Sequence, residues 1–252
     1  MYKRQTYTPI FDNETTYSTG CVTIDPSDPS IIWLGTGENV GGRHVAFGDG
    51  VFKSENGGKS WKNMGLRKSE HISEIIVHPN NSNIIWAASQ GPLWSPGGER
   101  GLYKSTDGGE NWKKVLGGGK WTGVTDIHMD PRNPDRIYAA TWQRHRTVAA
   151  LMGGGPESGL HRSEDGGETW TELKSGLPNY AGKIGFTLSP QKPDVLYASI
   201  ELEKRNGAVY KSEDRGSSWK KMSDLSLGYG TGPHYYQEPV SYTHLTLPTT
   251  RL

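Results

Sequence analysis

The side chains in this sequence whose types could do chemistry together are a few glutamates, tryptophans and arginines. Glu38, Glu99 and Glu201 are candidates for cleaving a glycosidic bond, which takes two carboxylates held roughly 5–9.5 Å apart across a sugar. Their spacing in the chain does not say whether any two converge. Arg43, Arg144 and Arg146 could clamp a carboxylate bidentately; the alternative is salt bridging with those same glutamates. Arg100 and His44 belong to the same candidate ligand-binding set. Trp94, Trp121 and Trp142 could offer flat faces to sugar rings or apolar peptide side chains, or could instead plug gaps between structural units. The eight histidines show no ligand spacing such as His-x-x-x-His. His44, His71, His145 and His234 fall near the candidate set, but no metal or other cofactor is expected. Cys21 is the only cysteine, so there is no internal disulfide and no multi-cysteine metal site.

The candidate binding and catalytic residues lie in the connections of a repeat, and the repeat must position them. The pattern Ser-x-Asp/Asn-x-Gly-x-x-Trp occurs four times: Ser54, Asn56, Gly58, Trp61; Ser105, Asp107, Gly109, Trp112; Ser163, Asp165, Gly167, Trp170; Ser212, Asp214, Gly216, Trp219. The serines are 51, 58 and 49 residues apart, a spacing that suits propeller blades rather than short solenoid repeats. A short alternating strand precedes each box, as in Gly101-Leu102-Tyr103-Lys104, and another follows, so the box is a hairpin turn. The Asp or Asn is expected to accept turn N–H groups, Gly to supply positive φ, and Trp to anchor the turn by burial. These box residues are read as structural.

A second motif recurs once per unit: Ile24-Asp25-Pro26, His78-Pro79, Asp130-Pro131 and Ser189-Pro190, each leading into an apolar strand. Each unit therefore supplies four antiparallel strands, A to D, and the expected fold is an all-β propeller of four complete four-stranded blades. Thr6 to Phe11 reads as the D strand of part of a preceding blade, with Tyr7 where a box Trp would fall. The ring is then incomplete, with an exposed sheet edge at each side. Strand order puts the boxes and the A–B turns on one face. The long B–C loops and the D–A connections, which carry the candidate residues, lie on the other.

The formal net charge of +1 gives no electrostatic reason to expect nucleic acid, and no apolar run is long enough for membrane insertion. The two ends read as foreign to the repeat. Met1–Gln5 can be encoded by GTG TAT AAG AGA CAG, whose reverse complement, read from its third base, gives Val-Ser-Tyr-Thr, the residues Val240–Thr243. One inverted DNA repeat, similar to a transposon-type sequencing adapter, explains both; coincidence in a polar tail is the alternative. The expected organisation is 1–5 and 239–252 adapter-derived, and 6–238 a partial propeller lacking further blades and any signal peptide.

The boxes resemble the bacterial neuraminidase (BNR) repeat of sialidases, xyloglucan-cleaving glycoside hydrolases and the sortilin ectodomain. Their combination with Asp-Pro turns is most similar to sortilin-like, glycosyl-hydrolase-like bacterial propellers. The resemblance implies a secreted or periplasmic protein. It carries no catalytic residue over, and it does not extend to sialidase activity, because Arg136-Ile137 continues to Tyr138 where sialidases have Arg-Ile-Pro. Three readings stay open: recognition of a polysaccharide or peptide through the B–C loop face, hydrolysis of a plant- or microbial-type polysaccharide, and a protein–protein assembly scaffold.

Overall fold

The computed structural model describes residues 7–39, 44–203 and 206–226. Its first blade is β1 (Thr19–Ile24), β2 (Ile32–Thr36), β3 (Val51–Ser54) and β4 (Lys62–Asn63). The second is β5 (Ile72–His78), β6 (Asn81–Ser89), β7 (Gly101–Ser105) and β8 (Lys113–Leu116). The third begins with β9 (Thr122–Asp130) and β10 (Asn133–Gln143). A small hairpin, β11 (His145–Arg146) and β12 (Leu151–Met152), is inserted before β13 (Gly159–Ser163) and β14 (Thr171–Leu173). The fourth is β15 (Ile184–Leu188), β16 (Leu196–Glu201), β17 (Asn206–Ser212) and β18 (Lys220–Ser226). Each blade is a four-stranded antiparallel meander, and the inner strands β1, β5, β9 and β15 stand side by side in an open arc.

The boxes are wired alike in all four blades. The serine hydroxyl donates to the Asp or Asn side chain (2.7–3.0 Å) and accepts the N–H of the second turn residue of positive φ, Gly58, Gly109, Gly167 or Gly216. The acid or amide then accepts the N–H four residues on, at Ser60, Asn111, Thr169 and Ser218. Each box also donates a backbone N–H to the A–B turn of its own blade: Gly57 to Ser30, Gly108 to Asn83, Gly166 to Asp135, Arg215 to Asp194. Boxes and A–B turns therefore share one face, and the long loops occupy the other.

Blade-to-blade packing makes the core. The middle-strand aromatics Trp33, Trp86 and Tyr138 are buried. Trp33 and Trp86 join clusters formed with the next inner strand, Trp33 with Ile75 and Val77, Trp86 with Val124 and Ile127. Lys53 and Lys104 lie 5.3 and 5.6 Å from the ring centres of Trp33 and Trp86, keeping their stems on the apolar surface and their charge at its edge.

Residues 7–11 differ from expectation, because no strand forms there. A D strand needs the C strand of its own blade as partner, and the described residues contain none for this segment. Its placement is nevertheless that of a preceding blade. Trp61 donates its indole N–H to Ile10 (2.7 Å) as Trp112 does to Met64 (2.8 Å), and Phe11 packs edge-on against Phe52 and Trp61. Tyr7 thus stands three residues before Ile10, as Trp61 stands before Met64.

Candidate functional site

On the loop face, three segments converge between the second and third blades: the B–C loop after β6, the D–A connection at Trp121, and the B–C loop after β10. Arg146 donates its backbone N–H to Leu93 and Arg144 its own to Trp121. Arg100 and Arg144 lie at the centre of this knot, both buried. The Arg100 guanidinium donates to the carbonyls of Gln90 (2.8 Å), Pro92 and Ser95 (2.9 Å) and lies 5.6 Å from the Trp121 ring. Arg144 donates to Gly91 (3.2 Å) and packs 5.1 Å from the Trp142 ring. Burial pushes both guanidinium pKa values down, to about 10 for Arg100 and about 9 for Arg144, so both are cations at neutral pH. The same burial pushes Glu70 up despite these two arginines, and takes His71 down to about 3, leaving it neutral.

This geometry separates the candidate ligand-binding residues. Arg100 spends both terminal nitrogens on loop carbonyls and so serves as internal scaffold, whereas Arg144 makes one such bond and its Nε and other terminal nitrogen are buried without a hydrogen-bond partner among the described residues. Trp142 is only 2% exposed and gives its indole N–H to Gly153 (2.9 Å), so it fills a gap rather than presenting a face. Arg146 is buried as well. The surface-facing members are Trp94, 41% exposed, and the exposed His44, with Trp121 half-buried and stacked on His145 at 3.7 Å. Arg43 and His234 lie outside the described residues.

The candidate carboxylates are tied to separate connections. Glu99 accepts the backbone N–H of Lys68 (2.7 Å), Glu201 accepts that of Lys183 (3.2 Å), and the backbone of Glu38 is held by Ala46. Each shapes a loop of its own blade or an adjoining connection.

A second constellation, not singled out from the sequence, lines the axial wall. Cys21, Glu74, Asp126 and Gly185 occupy one register on the four inner strands, opposite Gly35, Ala88, Ala140 and Ser199. The first three reach across to the next blade. The Cys21 thiol meets the backbone of Ile75, Glu74 accepts the N–H of Ile127 (2.9 Å), and Asp126 accepts that of Phe186 (3.0 Å). Thr23 adds a bond to the Ile75 carbonyl (2.6 Å), and a His128 ring nitrogen bonds that of Phe186 (2.7 Å). Glu74, Asp126 and His128 bring oxygen and nitrogen atoms within 4.8 Å of one another, a donor set of the kind divalent cations accept. They border a cavity of about 390 Å³. At its loop-face end the Lys183 ammonium approaches the Asn39 carbonyl (3.5 Å), joining the fourth blade to the first, and Asn39 in turn accepts from Gln90. Aligning the four Pro-turn motifs would have put Glu74 and Asp126 in one column.

Comparison with known proteins bears on this architecture. The family model Sortilin-Vps10 (sortilin, neurotensin receptor 3) matches residues 100–229. A probable oligoxyloglucan-reducing end-specific xyloglucanase of Neosartorya fischeri is 24% identical over 90% of this chain and 29% of its own length. Sortilin of Danio rerio is 24% identical over 90% of this chain and 30% of its own. Among solved structures, an ancestral GH74 enzyme superposes with a TM-score of 0.62 at 21% identity, covering 82% of this chain and 24% of that one. The chain spans less than a third of the length of each of these proteins, and the structural likeness at this identity shows the propeller fold.

Proposed function

The chain belongs to the Sortilin-Vps10 family, and from that premise we propose that it forms part of an extracytoplasmic propeller that hydrolyses a polysaccharide of the xyloglucan class. The observation that carries this reading is the alignment of nine-tenths of the chain with a xyloglucanase. It is supported by the asymmetry of the disc. The box face is consumed by turn hydrogen bonds, whereas the loop face keeps Trp94 and the Trp121–His145 stack at the surface. Flat aromatic surfaces of this kind suit the faces of sugar rings. These blades would hold the glycan, and the acid and base would come from loop-face carboxylates, with Glu38, Glu99 and Glu201 the candidates of this chain.

A second reading is recognition of a polysaccharide or peptide without cleavage. It is favoured by the engagement of Glu99 and Glu201 with backbone N–H groups, which makes them loop-shaping acceptors. One experiment separates the two: incubation of the protein with xyloglucan and with unbranched β-glucan, followed by measurement of new reducing ends and of electrophoretic retardation in the same polysaccharides. New reducing ends support hydrolysis, and retardation without them supports recognition. Neither effect removes both readings and leaves the assembly scaffold.

A further inference from the structure

We propose that the knot between the second and third blades holds one small monovalent anion of the halide class, bound by the Arg144 guanidinium with Arg100 and His71 beside it. The argument starts from donors that the fold buries and does not use. Arg144 is 1% exposed, Arg100 2%, and His71 is fully buried. Arg144 gives one terminal nitrogen to the Gly91 carbonyl (3.2 Å), while its Nε and its other terminal nitrogen have no hydrogen-bond partner among the described residues. The Nε of Arg100 has none either. Neither ring nitrogen of His71 makes a full hydrogen bond, although the ring faces the Glu38 backbone. Buried N–H groups are almost always paired, so several left over in one place point to a partner outside the chain.

These donors are fastened to one stretch of backbone. Arg100 donates to the Gln90 carbonyl (2.8 Å), Arg144 to that of Gly91, the next residue, and the His71 carbonyl accepts the Gln90 N–H (2.9 Å). Gly91 stands at φ 73°, and a β-carbon there would collide with the Arg100 stem and stand 3.0 Å from its Nε, so glycine lets Arg100 lie against this segment. Charge decides the kind of partner. Glu70 is the carboxylate whose field reaches both arginines, yet neither forms an ion pair with it or with any other described residue. One carboxylate against two guanidiniums leaves positive charge without a counter-ion, and a buried charge left uncompensated is strongly destabilising. Water would satisfy the N–H groups and leave that charge; an anion does both. Enclosure limits its size. The carboxylate of a glycan or peptide would bring its body with it, and side chains this buried leave no opening for one. The ion would bind the loop after β6 to the loop after β10, bracing the guanidiniums that pack on Trp121 and Trp142.

The test is thermal unfolding of the full chain, followed by circular dichroism, as sodium chloride replaces sodium gluconate at constant ionic strength; gluconate is too large to enter. An ion that binds only the folded form raises the midpoint with the logarithm of its concentration once above its dissociation constant. Between no chloride and ten times that constant, a rise of about 3–6 °C is expected. Arg144→Gln removes the guanidinium and is expected to lose this rise, keeping only the general effect of the salt, which the variant thereby measures. Bromide is the second probe, and it needs no variant. A crystal of the unaltered chain soaked in sodium bromide is expected to show an anomalous peak within hydrogen-bond distance of the Arg144 Nε. An unaltered chain whose midpoint follows that of the folded variant through the chloride series overturns the proposal, because water then suffices for these donors. So does a bromide-soaked crystal with no peak at Arg144.

Discussion

The bond from Asp126 to the backbone of Phe186 allows a sharp test of how the blades are joined. Replacing Asp126 with Ala removes the acceptor and leaves the Phe186 N–H, in a buried residue, without a partner. Leaving such a donor unsatisfied costs about 1–3 kcal/mol. The Asp126 side chain is 14% exposed and borders the axial cavity, so water can take part of its role. The lower part of the range, about 1–2 kcal/mol, is therefore expected. For a chain of this size that corresponds to a fall in Tm of roughly 2–8 °C. Asp126→Asn keeps an oxygen acceptor in place and is expected to cost less than about 0.5 kcal/mol. The assay is urea unfolding of both variants, read as a shift in midpoint at constant slope. If Asn costs as much as Ala, the carboxylate acts through its charge and the clasp reasoning fails. If neither variant shifts the midpoint, the bond contributes nothing to holding the third blade to the fourth.

Three further expectations follow from the boxes and the loop face. Arg215 stands at φ 61° where the other boxes have Gly57, Gly108 and Gly166, so Arg215→Gly relieves a left-handed conformation worth roughly 1–2 kcal/mol. Glycine's extra freedom in the unfolded chain offsets part of this, and a net gain of about 0.5–1 kcal/mol in thermal or urea unfolding is expected. The Asn111 side chain, with other donors of the turn, holds Asp107 down to about 2, so its contribution is complete above about pH 4 and is lost as pH falls through 2. The first box has Asn56 in that position and no such dependence. Amide exchange at Ser60 should therefore stay flat between pH 4 and 2, after correction for intrinsic rates, while that at Asn111 accelerates. Trp94→Ala combined with Trp121→Ala should weaken retardation by xyloglucan at least tenfold, at a stability cost no greater than the loss of the Trp121–His145 stack and of the Arg100 contact with the Trp121 ring, together about 1–3 kcal/mol.

The sequence shows the four blades of this chain, the turn chemistry and the division into two faces because each rests on local patterns. A Ser-x-Asp-x-Gly turn is wired within seven residues, and a Pro turn joins adjacent strands. The candidate site is less legible. Trp94, Trp121 and Trp142 look alike in sequence, and only the packing of Arg144 and the carbonyl of Gly153 distinguish the buried Trp142 from the exposed Trp94. Arg100 and Arg144 have the composition of an anion clamp, but the bonds they make go to backbone carbonyls of loops whose course no periodicity encodes. Glu74 and Asp126 escaped notice because each reads as one polar residue in an apolar strand. Their meaning is a register shared across more than fifty residues of chain.

The chain's only cysteine shares that register. Burial, with the Glu74 carboxylate beside it, pushes the Cys21 thiol up to about 12, so almost none of it is thiolate at neutral pH. Its partners in the structure are the backbone of Gly35, on its own blade, and that of Ile75, on the neighbouring one. In the closed seam a maleimide or disulfide reagent reaches the half-buried thiol through the axial cavity but meets almost no thiolate, so it reacts slowly there and faster in molecules whose first blade has swung away from the second. A gain in labelling rate over that slow background then reports the opening of that single seam, with no engineered residue and no probe elsewhere in the chain.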